Sequence, residues 1–338
     1  MLFPLEQKIR LDTEIITLLN SAESTINQLS GMLTLFNQNH FITKILQTRE
    51  AIESLSIDDY GFSIKEFYTM VCMEDFKSVS IPQKLISASL LGQRLIKNVS
   101  RSQHIIKSIY KELIEDNDKE ILRSKVIDKY NLPLPGEIYQ LMERFEKYIE
   151  SDVSYPPLIN AALVHAQFEV IHPFEKMNGL IGRVLIQLHL QWKKRMVNNC
   201  LQVSSAINRN KQEYFSRLLE LENTKDWNGW IKYFLTIIID SANETSSIIK
   251  NLYRLENDGY EKIINSNSAT PMLIKFYDYV FSQPIISIPH ITKALRLTKQ
   301  TANIVASRLV ELDLVEEVTG KQRYRLYINK KLMDFLHP

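Results

Sequence analysis

The 338-residue chain has only two cysteines, nine glycines and eleven prolines. Cys72 and Cys200 are too few and too far apart for a disulfide framework and match no metal-ligand spacing, so a stapled scaffold and a structural zinc site are excluded. They read as reduced thiols filling the core of a cytoplasmic protein. Scarce glycine and proline exclude collagen-like and low-complexity chains and favour long helices over many turns. Long apolar runs are also lacking. The longest, residues 233–239, is far below membrane-spanning length, and the opening MLFPLEQKIR has too short an apolar stretch for a signal peptide. The expectation is a protein without a membrane partner. Charge of one sign is lacking too: 41 Lys and Arg against 39 Asp and Glu leave +2, so any basic surface must be local.

What is present is globular. The length predicts about two domains, one large enough to bury a core. Residues 6–114 form a train of amphipathic segments, with Ile15, Leu18, Leu19, Ala22 and Ile26 at helical spacing in the first. Residues 43–53, 63–71 and 86–113 continue the pattern. Residues 115–135 are polar and read as a connection with room for one short helix or strand. Helices are predicted over 137–151, over 158–171 after Tyr155-Pro-Pro157, from Asn178 onward, over 204–221 and over 227–255. The ENDG of residues 256–259 and the polar residues 265–271 predict a linker.

The chemistry concentrates in residues 161–190, AALVHAQFEVIHPFEKMNGLIGRVLIQLHL. An apolar helix delivers His172 to a proline-broken loop, which feeds Asn178 and Gly179 into a second helix whose core stripe is Ile181, Val184, Leu185 and Leu188. First-turn N–H groups lack intrahelical partners and, with the helix dipole, favour an anion such as phosphate. Arg183 adds a guanidinium fork. His172 has the ordinary pKa of a general base for an alcohol. The other reading is a helix-capping or core histidine, and spacing alone favours it.

HPFEKMNGLIGR resembles the Fic family signature HPFx(D/E)GNGRxxR, and the flanks VHAQFEVIHPF and INRNKQEYF extend the likeness. ILQTREAIESLSIDDYGFSI resembles the family's N-terminal inhibitory helix, so the similarity covers most of residues 1–250. The resemblance implies a mostly helical fold that moves AMP from ATP onto a Ser, Thr or Tyr hydroxyl of a target protein. Within it, His172 is the base, Phe174 anchors the loop, Asn178 orients the α-phosphate and Gly179 joins the backbone anion hole. Arg183 binds the terminal phosphate or pairs with the inhibitory acid, and Asn210 and Tyr214 approach the nucleotide.

The signature departs from the family at three places. The acid that would hold Mg²⁺ is Lys176, whose protonated ammonium has no lone pair for a hard cation; it could set its own charge against the phosphates instead. Met177 replaces a glycine, which is expected to block approach to phosphate and forbid positive φ. Leu180 replaces the first signature arginine and either faces the pocket or packs away. The inhibitory motif becomes Ser54-Leu-Ser-Ile-Asp58-Asp59, which leaves two readings open: an Asp58–Arg183 ion pair, or a solvated capping turn. Residues 115–135 lack the family's target-docking hairpin phrases.

From Pro271 the pattern resembles a winged helix-turn-helix: a helix over 288–295, Thr298 as N-cap of a recognition helix over 298–312, and a hairpin over 315–328 turning at Thr319-Gly320. Lys299, Arg308, Lys321, Arg323, Arg325, Lys330 and Lys331 outnumber Glu311, Asp313, Glu316 and Glu317 by three. Lys299, Gln300, Thr301 and Asn303 are candidate contacts to base edges, and Lys321, Arg323 and Arg325 to phosphates of duplex DNA. A protein-docking or dimerisation module is the alternative.

The expectation is therefore a mainly α chain: an N-terminal helical regulatory region (1–114), a Fic-like core (115–256) and a small α+β winged helix (271–338). Its function reads as nucleotidyl transfer from ATP, weakened by loss of the metal-binding acid. The alternative is an inactive Fic-like regulator that senses a nucleotide or partner and reports through the winged helix.

Overall fold

The computed structural model describes residues 9–35, 40–73, 79–98, 102–114, 122–127, 132–151, 155–196, 198–266, 269–320 and 325–336. The first helices are α1 (Thr13–Leu35), α2 (His40–Ile57), α3 (Ile64–Met73), α4 (Ile81–Leu95) and α5 (Ser102–Ile114). Then come α6 (Pro135–Glu150), α7 (Pro157–Ile171), α8 (Asn178–Trp192), α9 (Val203–Arg209), α10 (Lys211–Thr224) and α11 (Trp227–Asn265). In α1 only Ile15, Ala22, Ile26, Leu29 and Leu33 are buried, a single stripe that packs along α11. In α7 twelve residues are buried on all faces, because this helix is the central member of the layer. Pro157 opens it, where a missing N–H costs no helical hydrogen bond.

Residues 86–113 are two helices rather than one, because the stripe continues across a turn at 96–98 that carries neither glycine nor proline. The resulting hairpin packs tightly at Gly92, where a Cβ would sit 2.6 Å from Leu188 Cδ1 and 2.9 Å from Ile109 Cδ1. Residues 204–221 likewise divide at Asn210, whose side chain caps α10. At Glu256–Gly259 the expected linker is helix instead. There Gly259 lies under Tyr277, whose Oη would be 1.9 Å from a Cβ, and the Tyr277 hydroxyl donates to the Leu255 and Glu256 carbonyls at 3.3 Å. The glycine serves a close helix approach, not a turn.

Residues 122–127 and 132–134 are neither helix nor strand, and the rest of the polar connection up to residue 131 lies outside the described residues. Cys72 and Cys200 are both buried. No helix among the described residues is long and apolar enough to cross a membrane.

The C-terminal unit comprises α12 (Pro271–Ser282), β1 (Ile285–Ser287), α13 (Ile288–Leu295), α14 (Lys299–Glu311), β2 (Glu316–Glu317), β3 (Leu326–Ile328) and α15 (Lys330–Leu336). Its sheet has the order β1-β3-β2, antiparallel throughout, with Ile286 opposite Tyr327 and Glu317 opposite the same tyrosine. Three residues of β1 were too short a run to register as a strand in the sequence. Ser287 caps α13 and Thr298 caps α14 through side-chain oxygens. This unit leans on the N-terminal helices: Gln283 Nε2 donates to the Tyr68 carbonyl at 3.2 Å, and Phe41 at the start of α2 meets Phe281 edge to face at 5.0 Å. The far end of α2 reaches α8.

Candidate functional site

The loop between α7 and α8 is bounded by two left-handed residues, His172 (φ 48°, ψ 61°) and Met177 (φ 68°, ψ 12°). Each costs on the order of 1 kcal/mol for a residue with a Cβ, so the surroundings must hold the loop. Asn178 does so from inside: its Oδ1 accepts the Phe174 N–H at 3.0 Å and its Nδ2 donates to the Phe174 carbonyl at 2.8 Å. Phe174 itself is fully buried and stacked on Tyr110, ring centroids 4.0 Å apart. Arg123 holds the loop from outside. Its N–H donates to the Pro173 carbonyl at 2.9 Å and its Nε to the His172 carbonyl at 2.8 Å, while the guanidinium also reaches the carbonyls of Lys125 and Pro133.

Arg123 was not recognised in the sequence, because a lone arginine in a polar connection carries no signal there. The expectation that Met177 forbids positive φ is wrong. The Asn178 and Arg123 clamps offset the strain, and the Met177 side chain stays at the rim, where the Tyr60 hydroxyl donates to its sulfur at 3.5 Å.

Burial pulls the His172 imidazole down to about 4; a hydrogen bond to the Glu169 backbone opposes this and the nearby Arg123 charge adds to it. At neutral pH the ring is therefore uncharged and able to take a proton.

Arg183 is almost completely buried. Its Nε donates to Ser54 Oγ at 2.7 Å, and its Nη2 donates to the Ser54 carbonyl at 2.9 Å and to Asp58 Oδ2 at 2.8 Å. The Asp58 carboxylate also lies over the first turn of α8, since a Cβ on Gly179 would be 3.0 and 3.1 Å from its two oxygens. An anionic group thus already sits where the unpaired N–H groups and the dipole of α8 favour one.

Two more carboxyls face this guanidinium from the interior. Burial raises Glu169 to about 7 against the pull of Arg183, and its Oε1 has no hydrogen-bond partner among the described residues. Burial raises Glu50 to about 8, although its oxygens accept from the Ser204 N–H and hydroxyl. Behind them, Tyr214 donates to His165 Nε2 and His165 Nδ1 donates to the Gly182 carbonyl, both at 3.0 Å, the tautomer following from the carbonyl acceptor. Burial holds His165 at about 3, uncharged.

Of the other expected residues, Lys176 is exposed, and Leu180 packs away from the pocket into the core. Asn210 Oδ1 accepts the Glu213 N–H at 3.3 Å as the cap of α10, and Tyr214 belongs to the buried chain just described. In the C-terminal unit Lys299 and Gln300 are exposed. Thr301 bonds Thr298 through both its N–H and its hydroxyl, and Asn303 donates to the Lys299 carbonyl at 2.7 Å. Arg325 is exposed, while Lys321 and Arg323 lie outside the described residues.

Residues 100–190 match the model of the Fic/DOC family, and residues 273–327 match that of a helix-turn-helix (HTH) DNA binding domain. Over 248 residues the chain is 22% identical to "Protein adenylyltransferase Fic" of Drosophila sechellia, covering 69% of this chain and 46% of that protein. The protein of the same name from Drosophila willistoni is 26% identical over 234 residues, covering 66% and 43%. The chain thus spans less than half the length of these curated relatives. A Fic family protein from Desulfovibrio desulfuricans G20 shares the fold at TM-score 0.58 and 15% identity, covering 95% of this chain and 97% of that one. A Fic domain containing signaling protein from Bacteroides thetaiotaomicron does so at TM-score 0.51 and 15% identity, over 71% and 98%. The chain thus contains a segment similar to the Fic/DOC family, followed toward the C-terminus by a segment similar to a helix-turn-helix DNA binding domain.

Proposed function

We propose that the α7–α8 loop carries out nucleotidyl transfer from ATP to a Ser, Thr or Tyr hydroxyl of a target protein. The observation that carries this reading is the Asp58 carboxylate over Gly179, ion-paired to Arg183 at 2.8 Å: a helix N-terminus and a buried guanidinium converge on one anion. His172 takes the hydroxyl proton, the freed oxygen attacks the α-phosphorus, and the bond to the β-phosphate breaks to release diphosphate. Backbone N–H groups at the start of α8 and Arg183 balance the phosphate charge once Asp58 withdraws. In this reading Ser54 and Asp58 act as the inhibitory helix end, Asn178 fixes the loop that presents the anion hole, and Asn210 and Tyr214 back the nucleotide side.

The donor set does not fit Mg²⁺. Lys176 stands at the expected ligand, and no group of three or more His, Cys, Asp or Glu that could hold a metal occurs among the described residues. No step here runs through a metal. Loss of such an ion removes several kcal/mol of charge stabilisation, at about 1.4 kcal/mol per decade of rate, so transfer is expected to be slow. The same residues favour a second reading: with Lys176 and Met177 in the loop, the site senses nucleotide without transferring it.

Incubation with labelled ATP and lysate tests the two against a His172→Ala variant. Label transfer lost in the variant supports the enzyme; calorimetric ATP binding without transfer supports the sensor.

For the C-terminal unit, with 271–338 as its extent, duplex DNA is the proposed partner. From Tyr279 to Val310 no acidic residue occurs, whereas Lys293, Arg296, Lys299 and Arg308 are basic. This local field suits phosphate, and the hairpin of β2 and β3 is read as a wing carrying Lys321, Arg323 and Arg325 toward the backbone. A protein with these partners and these thiols suits the cytoplasm.

A further inference from the structure

The solvent face of α14 has a feature that phosphate contact does not explain. Ala302, Val305, Ala306 and Leu309 are buried and hold the helix on its unit. On the opposite side Gln300, Ile304 and Ser307 follow one another at i, i+4 and i+7, all exposed. Ile304 is 63% exposed, a branched aliphatic side chain standing between polar neighbours. Lys299 flanks it one turn toward the N-terminus, and exposed Lys293 and Arg296 precede it on α13 and the turn after it. Of the four residues that the sequence offers as base readers, Thr301 and Asn303 are engaged within their own helix. The outward readers are thus Lys299, Gln300, whose amide can pair with an adenine edge through two hydrogen bonds, and an apolar side chain that no donor–acceptor code uses.

We propose that Ile304 reads the 5-methyl group of a thymine in the major groove, making it a specificity-determining contact of the helix-turn-helix unit. The proposal rests on the DNA-binding reading of that unit. The major groove presents one exposed apolar group per A·T pair, the thymine methyl, and a side chain that packs on it discriminates thymine from cytosine and from uracil. Four residues of helix advance about 6 Å, roughly two base pairs at about 3.4 Å each, so the thymine lies about two pairs from the adenine read by Gln300. Burying one methyl contributes about 0.8 kcal/mol, or about fourfold in affinity.

The test uses the full chain and a 24-base-pair duplex that it selects from a random library, followed by replacement of each thymine in turn with deoxyuridine, which removes only the methyl. At one position the parent chain should lose about fourfold in affinity, and Ile304→Ala should bind both duplexes alike. The salt dependence should be the same for the two chains, because no phosphate contact changes. A parent chain indifferent to every deoxyuridine, or an Ile304→Ala chain that keeps the same position-dependent loss, overturns the proposal while leaving DNA binding intact. If no duplex is enriched above the random pool, the DNA-binding reading itself fails. A sedimentation mass that halves in Ile304→Ala would make Ile304 a subunit contact and also overturn the assignment.

Discussion

Asp58 and Arg183, 125 positions apart in the chain, meet at 2.8 Å with the arginine buried and the aspartate partly exposed. The pair joins the end of α2 to the first turns of α8, and a carboxylate one methylene shorter than glutamate suffices to span the gap. Ser54 shares the guanidinium, so the end of α2 is fixed by three hydrogen bonds from one side chain. Under the proposed function a ligand phosphate competes with Asp58 for that place.

Asp58→Ala should raise ATP affinity and any label transfer by tenfold or more, read by calorimetry and by labelled-ATP incorporation. Removing one partner of a buried pair is strongly destabilising, but Arg183 keeps both Ser54 bonds and Asp58 is partly in solvent, so the cost should be about 1–3 kcal/mol in urea unfolding. Unchanged ATP affinity would separate Asp58 from the phosphate site.

His172→Ala should abolish transfer and leave ATP binding within about twofold. Because the imidazole is held down at about 4, it is in its basic form from pH 5 upward, so the parent rate should be flat between pH 5 and 8 instead of rising through the ordinary histidine range. A rate that climbs tenfold per unit between pH 5.5 and 6.5 would contradict this.

Glu169→Gln addresses pH and stability. A folded value raised from 4.5 to about 7 means that the native state holds the proton more tightly than the unfolded chain. The group's stabilising contribution is then complete below pH 4.5 and is lost as pH rises to about 7. Glutamine cannot ionise, so the variant should gain up to about 3 kcal/mol over the parent on going from pH 4.5 to pH 8, measured by denaturant unfolding at the two values. An equal difference at both pH values would assign the effect to packing.

Met177→Gly should relieve a left-handed residue and raise the melting temperature by an amount corresponding to about 0.5–1 kcal/mol. With the parent loop, ATP binding should survive EDTA. In Lys176→Asp/Met177→Gly, binding and transfer should become Mg²⁺-dependent, since the ammonium is replaced by an oxygen ligand. Loss of parent ATP binding on chelation would show that a cation is already part of the site.

Phe174→Ala should cost about 3–5 kcal/mol, because the ring is fully enclosed and stacked on Tyr110. Arg123→Ala should cost less and act on the loop: it releases the His172, Lys125 and Pro133 carbonyls held by the guanidinium while the backbone N–H to Pro173 stays, and limited proteolysis at 172–177 should accelerate. Equal proteolysis in parent and variant would place the loop's restraint in Asn178 and the backbone bond at Pro173 instead of the guanidinium.

The amino-acid sequence by itself determined the helical segments, the cap Thr298 and the loop that joins two helices at 172–178, because apolar periodicity, capping side chains and a proline break are local properties. It left open whether Asp58 was a solvated turn or a partner of Arg183 and whether Leu180 faced the pocket, and it read one helix over 86–113, where there are two, and a linker at 256–259, where the helix continues. Only the tertiary structure decided these, because each depends on what approaches from elsewhere in the chain: Arg183 on Asp58, Tyr277 on Gly259, Leu188 and Ile109 on Gly92. Positive φ at Met177 belongs to the same class, since a conformation disfavoured locally persists when Asn178 and Arg123 hold the loop on both sides.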